Sequence, residues 1–183
     1  MSLGSNLQPN LILGGPIISL TPQMLQQHRL KGLILDVDET LVPLRASQVS
    51  AELRQWVETI KPVVAIWLVS NNLSKTRIGN IAKSLELPYM LGASKPSRRK
   101  LKKAAQAMNL PVEQVAMVGD RLFTDVLAGN RLGMFTILVE PMSDPSVNHT
   151  MYPTRNFEVW ISKALGVSFP SLQQNLNKTD ELT

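Results

Sequence analysis

Four apolar runs in this chain each end on a short polar cluster, and that repeated arrangement is what most restricts the fold. Leu33-Ile34-Leu35 is followed by Asp36-Val37-Asp38-Glu39-Thr40. Val63 to Val69 is followed by Ser70-Asn71-Asn72, and the weaker run Pro88 to Leu91 by Ser94-Lys95-Pro96. Val115 to Val118 is followed by Gly119-Asp120, with Asp125 shortly after. Continuous apolar runs, without polar alternation, are expected of strands buried on both faces.

Amphipathic helices fall between the runs. Thr21-Pro22 combines a capping hydroxyl with proline at the first helical position and predicts a short helix to Leu30. Ser50 caps a stretch with Leu53, Trp56, Val57 and Ile60 on one face, and Lys61-Pro62 stops it. Ser74 opens a helix with Ile78, Ile81 and Leu85 inward. Ser97 opens another through Met108, with Leu101, Ala104 and Ala105 inward. Arg121 to Leu132 reads as a helix closed by Gly133, Met134 to Val139 as a strand, and Arg155 to Leu165 as a last helix. Strands alternating with helices of this length predict an α/β fold, a parallel sheet with helices on both faces.

With 183 residues, 44% of them hydrophobic and 18% charged, the chain is sized for one buried α/β domain and is not of disordered composition. The expected organisation is an apolar, flexible segment over 1–20, the domain over 21–167 and a polar tail over 168–183. The stretch Leu11 to Leu20 is interrupted by Gly14, Gly15 and Pro16 and falls short of the ~20 residues that span a bilayer. The N-terminus lacks the basic-then-apolar pattern of a secretory signal. The expectation is a soluble, cytoplasmic chain, with peripheral attachment to the inner membrane surface left open. Cysteine is absent, which excludes disulfides, thiolate metal sites and cysteine nucleophiles. A net charge of +5 favours an anionic partner: a phosphate ester, an anionic membrane surface or nucleic acid. Oligomeric state is not legible.

In an open parallel sheet, reactive groups collect beyond the carboxyl ends of the strands. The polar clusters therefore bring carboxylates, a hydroxyl and a lysine to one rim. Phosphoryl transfer needs a nucleophile, a cation against the phosphate and a proton donor for the leaving oxygen. Asp36 and Asp38 can supply attack and proton handling. Asp36 with Asp120 offers hard oxygen ligands suited to Mg²⁺. Ser70 and nearby backbone N–H groups can hold phosphoryl oxygens, and Lys95 offsets the carboxylate charge.

Asp-x-Asp-x-Thr-Leu after the first strand, Ser70 after the second, Lys95-Pro96, and Gly119-Asp120 with Asp125 resemble the four signature motifs of haloacid dehalogenase-type (HAD) phosphatases. The similarity runs from about Gly32 to Gly133. It implies a Rossmann-like sheet, with Asp36 as the nucleophile forming an aspartyl-phosphate and also binding Mg²⁺. It implies Asp38 as general acid and then base, its carbonyl on the metal, and Thr40 as the residue orienting the loop. Ser70 would bind the phosphoryl group with help from the Asn71 backbone. Lys95 would stabilise nucleophile and phosphate. Asp120 would ligate Mg²⁺ directly, and Asp125 would act through water or from behind the direct ligands. The intervals from Asp38 to Ser70 and from Ser70 to Lys95 each hold one strand-helix unit and leave no room for an inserted cap domain. Phrases such as Leu41-Val42-Pro43 and Gly129-Asn130-Arg131-Leu132-Gly133 are similar to the capless class IIIA subgroup related to phosphatidylglycerophosphate phosphatase. Glu39 stands where many of those relatives carry Asn, with little consequence expected.

Plainer readings exist for each residue. Asp36 and Asp38 could form a solvated turn, Asp120 an ordinary N-cap, and Asp125 a dipole-complementing acid. The basic run Arg98, Arg99, Lys100, Lys102 and Lys103 is ordinarily a solvated helix face. Yet Arg98 and Arg99 fall in a first turn, where the helix dipole disfavours cations, so they are candidates for capturing an anionic substrate or membrane. His28 and His149 lie away from the motifs, Trp56 and Trp67 read as core, and Trp160 as core or membrane-facing. The expected function is a Mg²⁺-dependent phosphomonoesterase acting on an anionic phosphate ester, with a lipid-linked one such as phosphatidylglycerophosphate in first place. The alternatives are a phosphatase of a soluble metabolite or phosphoprotein, and a non-catalytic nucleic-acid-binding module, against which the intact acidic and lysine set counts.

Overall fold

Six parallel strands form one sheet in the computed structural model of the chain, which describes residues 6–44 and 46–142. The expected helix at Arg155 to Leu165, the polar tail, His149 and Trp160 lie outside the described residues. The strands are β1 (Leu11–Ile12), β2 (Gly32–Leu35), β3 (Ala65–Val69), β4 (Tyr89–Met90), β5 (Val115–Gly119) and β6 (Phe135–Leu138). Their order across the sheet is β1-β6-β5-β2-β3-β4. From β2 the chain winds outward through β3 to β4 on one side, while β5, β6 and β1 occupy the other. The winding direction therefore changes between β2 and β5, the crevice where open α/β sheets bind ligands.

The side-chain alternation of the strands explains the layering. Leu33 and Leu35, Ile66 and Leu68, and Ala116 and Val118 face one core; Ile34, Val69, Val115 and Met117 face the other. The first core is covered by α1 (Pro22–Gln27), α2 (Ala51–Ile60) and α3 (Lys75–Leu85), through Leu25, Trp56, Ile78 and their neighbours. The second is covered by α4 (Arg99–Ala107) and α5 (Leu127–Leu132), through Leu101, Ala104 and Ala128. The caps are largely those expected. Thr21, Ser50 and Ser74 accept hydrogen bonds from Met24, Leu53 and Arg77 N–H respectively. Trp56 is core, its indole N–H donating to the Leu20 carbonyl at 2.8 Å, whereas Trp67 is only partly buried. His28 is half-buried and tilted against Phe135, with ring centroids 4.7 Å apart.

Three details differ from expectation. Leu11–Ile12 is a sheet strand that pairs with Ile137 and Leu138, and Ile17 and Leu20 are buried, so the described part of the N-terminal segment is packed on the domain. Asn130 Nδ2 donates to the Asn6 and Gln8 carbonyls, and Thr136 N–H donates to Asn10 Oδ1, which fastens that segment to the sheet. The helix expected from Ser97 starts at Arg99, with Arg98 as its N-cap and no side-chain cap bond. The helix expected from Arg121 begins with a wide π turn over Leu122–Val126 before α5. Asp125 accounts for this start: its Oδ2 accepts from Arg121 N–H at 3.3 Å, while the Arg121 carbonyl accepts from both Asp125 and Val126 N–H.

Candidate active site

In-register parallel pairing aligns Leu35 of β2 with Leu68 of β3 and Val118 of β5. Asp36, Ser70 and Asp120 each follow within two residues of that line, so three successive strands deliver their polar ends to one edge. Among the described residues the buried polar or charged side chains are Asp36, Asp38, Thr40, Ser70, Lys95, Asp120, Asp125 and Thr136. All but Thr136 belong to this edge. Charged side chains are rarely buried without a partner because desolvation is costly, and here the partners are one another.

Lys95 is the centre. Its Nζ lies 2.7 Å from Asp36 Oδ1 and 2.7 Å from Asp125 Oδ1, and donates to the Val69 carbonyl at 3.0 Å. Asp125 Oδ1 is buried, and its partner is that Lys95 ammonium. Asn71 clamps the Lys95 peptide from both sides: Lys95 N–H donates to Asn71 Oδ1 at 2.8 Å, and Asn71 Nδ2 donates to the Lys95 carbonyl at 3.2 Å. The Asn71 side chain thus positions Lys95, a role separate from the backbone contact expected of Asn71.

The acidic members cluster. Asp36, Asp120 and Asp125 each present a carboxylate oxygen, and the three oxygens lie within 4.8 Å of one another. Thr40 Oγ1 donates to Asp120 Oδ1 at 3.1 Å, tying the loop after β2 to the end of β5. Gly119 makes the cluster possible. A Cβ at that position would stand 2.4 Å from the Asp125 carboxylate, so any other residue would push Asp125 away.

Electrostatics follow from burial. Desolvation raises Asp36 to about 6, with the Lys95 charge opposing the rise and the Asp125 charge adding to it. Desolvation raises Asp120 to about 7, reinforced by Asp125 and Asp36 and opposed by Arg121 and the Thr40 hydrogen bond. For Lys95 burial alone would lower the pKa, but the charges of Asp125 and Asp36 more than offset this and hold it above its ordinary value. Three buried carboxylates against one lysine leave an excess of negative charge. Hard oxygen donors converging within 4.8 Å of one another and a carboxylate raised to about 7 on Asp120 suit a small divalent cation.

Asp38 is held separately. It accepts from Ser70 Oγ at 3.3 Å and from Asn72 Nδ2 at 3.5 Å, and it pairs with the Arg77 guanidinium. Arg77 also donates through Nε to the Ala46 carbonyl at 2.9 Å and through Nη2 to the Pro43 carbonyl at 3.2 Å. The sequence reading missed Arg77 because a cation one turn into a helix looks like a solvated face. The pattern Ser70-Asn71-Asn72 followed by Arg77 was the available signal. Glu39 is also busier than expected: it pairs with Arg121 Nη2 at 2.6 Å and adopts φ +62°. Arg98 and Arg99 are exposed and make no contact with the cluster. Arg98 donates instead to the Arg131 carbonyl at 2.9 Å.

Among the described residues the chain makes only α2 between β2 and β3, and only α3 between β3 and β4, so neither interval inserts a second domain. An α/β fold with a buried carboxylate-lysine cluster at its switch point defines a phosphoryl-handling enzyme. Comparison with known proteins narrows this. Residues 92–141 match the family model described as HAD-hydrolase-like. The chain is 36% identical over 128 residues to "Probable phosphatase YqeG" of Bacillus subtilis, covering 69% of this chain and 74% of that protein. It is 29% identical over 160 residues to phosphatidylglycerophosphate phosphatase 1, chloroplastic/mitochondrial, of Arabidopsis thaliana, and spans 45% of that longer protein. It also shares its fold with an uncharacterized protein from Listeria monocytogenes serotype 4b, with a TM-score of 0.51 at 18% identity over 68% of this chain and 88% of that one. The chain belongs to the HAD-type phosphatase family.

Proposed function

We propose that the chain is a Mg²⁺-dependent phosphomonoesterase that works through Asp36 on a lipid-linked phosphate ester of the phosphatidylglycerophosphate kind. The observation that carries the reading is the confinement of buried polar groups, Thr136 apart, to the strand-end edge. A stable fold does not require seven such groups in one place, whereas phosphoryl transfer uses each of them. The lipid assignment rests on the lack, among the described residues, of a domain inserted between β2 and β4, and on the name of the Arabidopsis relative.

In this reading the Asp36 carboxylate attacks phosphorus, the ester P–O bond breaks, and Asp38 gives its proton to the departing alcohol oxygen. Asp38 then takes a proton from water as that water attacks the aspartyl-phosphate, releasing inorganic phosphate and restoring Asp36. Ser70 and Lys95 hold the phosphoryl oxygens and neutralise their charge, and Asn71 keeps Lys95 in line. Asp36, Asp120, Asp125 and the Asp38 carbonyl would hold Mg²⁺, which offsets phosphate charge when bound. Thr40 fixes Asp120 in its ligating orientation. Arg98 and Arg99 stand at the start of α4 as outlying contacts for an anionic substrate.

Phosphate release from p-nitrophenyl phosphate and from phosphatidylglycerophosphate in mixed micelles tests the proposal. Release should require Mg²⁺, stop with chelator, disappear in Asp36→Asn and favour the lipid. Turnover retained by Asp36→Asn would overturn the mechanism, and preference for soluble esters would overturn the lipid assignment.

A further inference from the structure

The exposed large hydrophobic side chains among the described residues are Leu44 at 53%, Leu73 at 80% and Phe123 at 56% exposure. Isolated exposed apolar residues are ordinary; their location here is not. Leu44 follows β2, Leu73 follows β3 and Phe123 follows β5, the three strands that deliver Asp36, Ser70 and Asp120. Each is near a site residue in sequence: Leu73 adjoins Asn72, which donates to Asp38, and Phe123 lies in the π turn with Asp125. Leu44 lies between Pro43 and Ala46, whose carbonyls Arg77 pins. Its loop is thereby anchored on both sides with Leu44 left exposed.

Cations share this edge. The helices that follow β3 and β4 begin at the carboxyl ends of those strands, and neither has an acid in its first turn. Instead α3 opens with Lys75 and α4 with Arg99, both exposed, where the helix dipole favours anions. Among the described residues no acidic side chain pairs with either.

We propose that this edge docks on an anionic lipid surface: Leu44, Leu73 and Phe123 enter the interfacial layer while Lys75 and Arg99 meet lipid phosphates. The lipid-linked substrate reading gives this its purpose, since docking would bring a headgroup phosphate to Asp36 without extracting the lipid. Charge complementarity selects the occupant. Apolar side chains interleaved with unpaired cations suit a negatively charged interface. A two-fold pairing of this edge with a second copy would bring a second set of the same cations into the interface.

Co-sedimentation of the full chain with phosphatidylcholine vesicles, with and without phosphatidylglycerol, tests the proposal. The chain should sediment with the anionic vesicles only, and less as salt rises. Leu73→Glu with Phe123→Glu should weaken partitioning at least about tenfold, and so should Lys75→Glu with Arg99→Glu. Turnover of p-nitrophenyl phosphate by Leu73→Glu and by the apolar pair should stay at the wild-type level; Leu73→Ser serves if the double variant does not fold. Variants that bind vesicles like the wild type, a wild type that stays in the supernatant, or apolar variants that instead dissociate an oligomer would each overturn it. The substrate reading fails separately. A chain that docks through this edge but releases no phosphate from lipid in micelles loses that reading alone, and one that hydrolyses lipid without edge-dependent binding loses only the docking.

Discussion

The guanidinium of Arg77 pairs with the carboxylate of Asp38 across the gap between α3 and the loop after β2, and both side chains are largely shielded from water. The same guanidinium holds the Pro43 and Ala46 carbonyls. A planar fork can make all three contacts at once, and a lysine cannot. Arg77 therefore sets the direction of Asp38 from outside the carboxylate cluster.

Arg77→Ala is expected to lower kcat by roughly 10–100-fold, because a misdirected proton donor loses near-attack geometry. KM should change little. Arg77→Lys should recover part of the loss, and added guanidinium should partly rescue Arg77→Ala. Steady-state kinetics on p-nitrophenyl phosphate read this directly; a rise in KM with kcat unchanged would assign Arg77 to substrate binding.

Gly119→Ala places a methyl group where the Asp125 carboxylate stands. Over-packing of this kind costs about 1–3 kcal/mol. Displacement of Asp125 should also weaken Mg²⁺ binding by roughly 10–100-fold. Calorimetric titration of Mg²⁺ measures the affinity and thermal unfolding the stability. An unchanged Mg²⁺ affinity would remove Asp125 from the ligand set.

Acidity should stabilise the metal-free protein. Asp36 and Asp120 rise from 3.8 to about 6 and about 7 on folding, so between those values the folded chain binds more protons than the unfolded one. Their stabilising contribution is whole below 3.8 and disappears as pH climbs through about 6 to 7. The Tm measured in chelator should fall from pH 5.5 to pH 8, and Asp120→Asn should flatten the decline. Mg²⁺ competes with those protons, so the Tm gain it gives should be larger at pH 8 than at pH 5.5. A Tm in chelator that rises with pH would contradict the buried, charge-excess account.

Glu39→Asn exchanges one modest benefit for another. It gives up a half-exposed ion pair with Arg121, a contact generally worth about 0–1 kcal/mol. In return Asn tolerates φ +62° better than Glu. Denaturant unfolding should place the variant within about 1 kcal/mol of the wild type. A larger loss would mean that the Glu39–Arg121 link holds the loop after β2 in place.

The gathering of polar side chains at one edge was legible because each cluster follows an apolar run, and parallel strands bring their carboxyl ends to the same edge. Arg77 was not, because its task depends on α3 packing beside a loop more than 30 residues earlier, and the nearby Ser70-Asn71-Asn72 is only a weak local marker of it. The edge strand at Leu11–Ile12 was hidden for a different reason. Two residues carry no periodicity, and side chains at Asn10 and Asn130 supplement their backbone pairing with β6. The π turn was equally invisible, because helix patterning cannot register one extra residue that Asp125 draws into the first turn.

The brevity of β1 has a bearing on solubility. Without it Phe135–Leu138 would present a run of unpaired amides and carbonyls beside Phe, Ile and Leu side chains, an open template for strands of other molecules. Laid across that margin, Leu11–Ile12 answers part of the hydrogen-bonding demand and then turns away at Gly14, before it can offer a margin of comparable length itself. The chain thus shields its own growing edge with a fragment too short to recruit a neighbour.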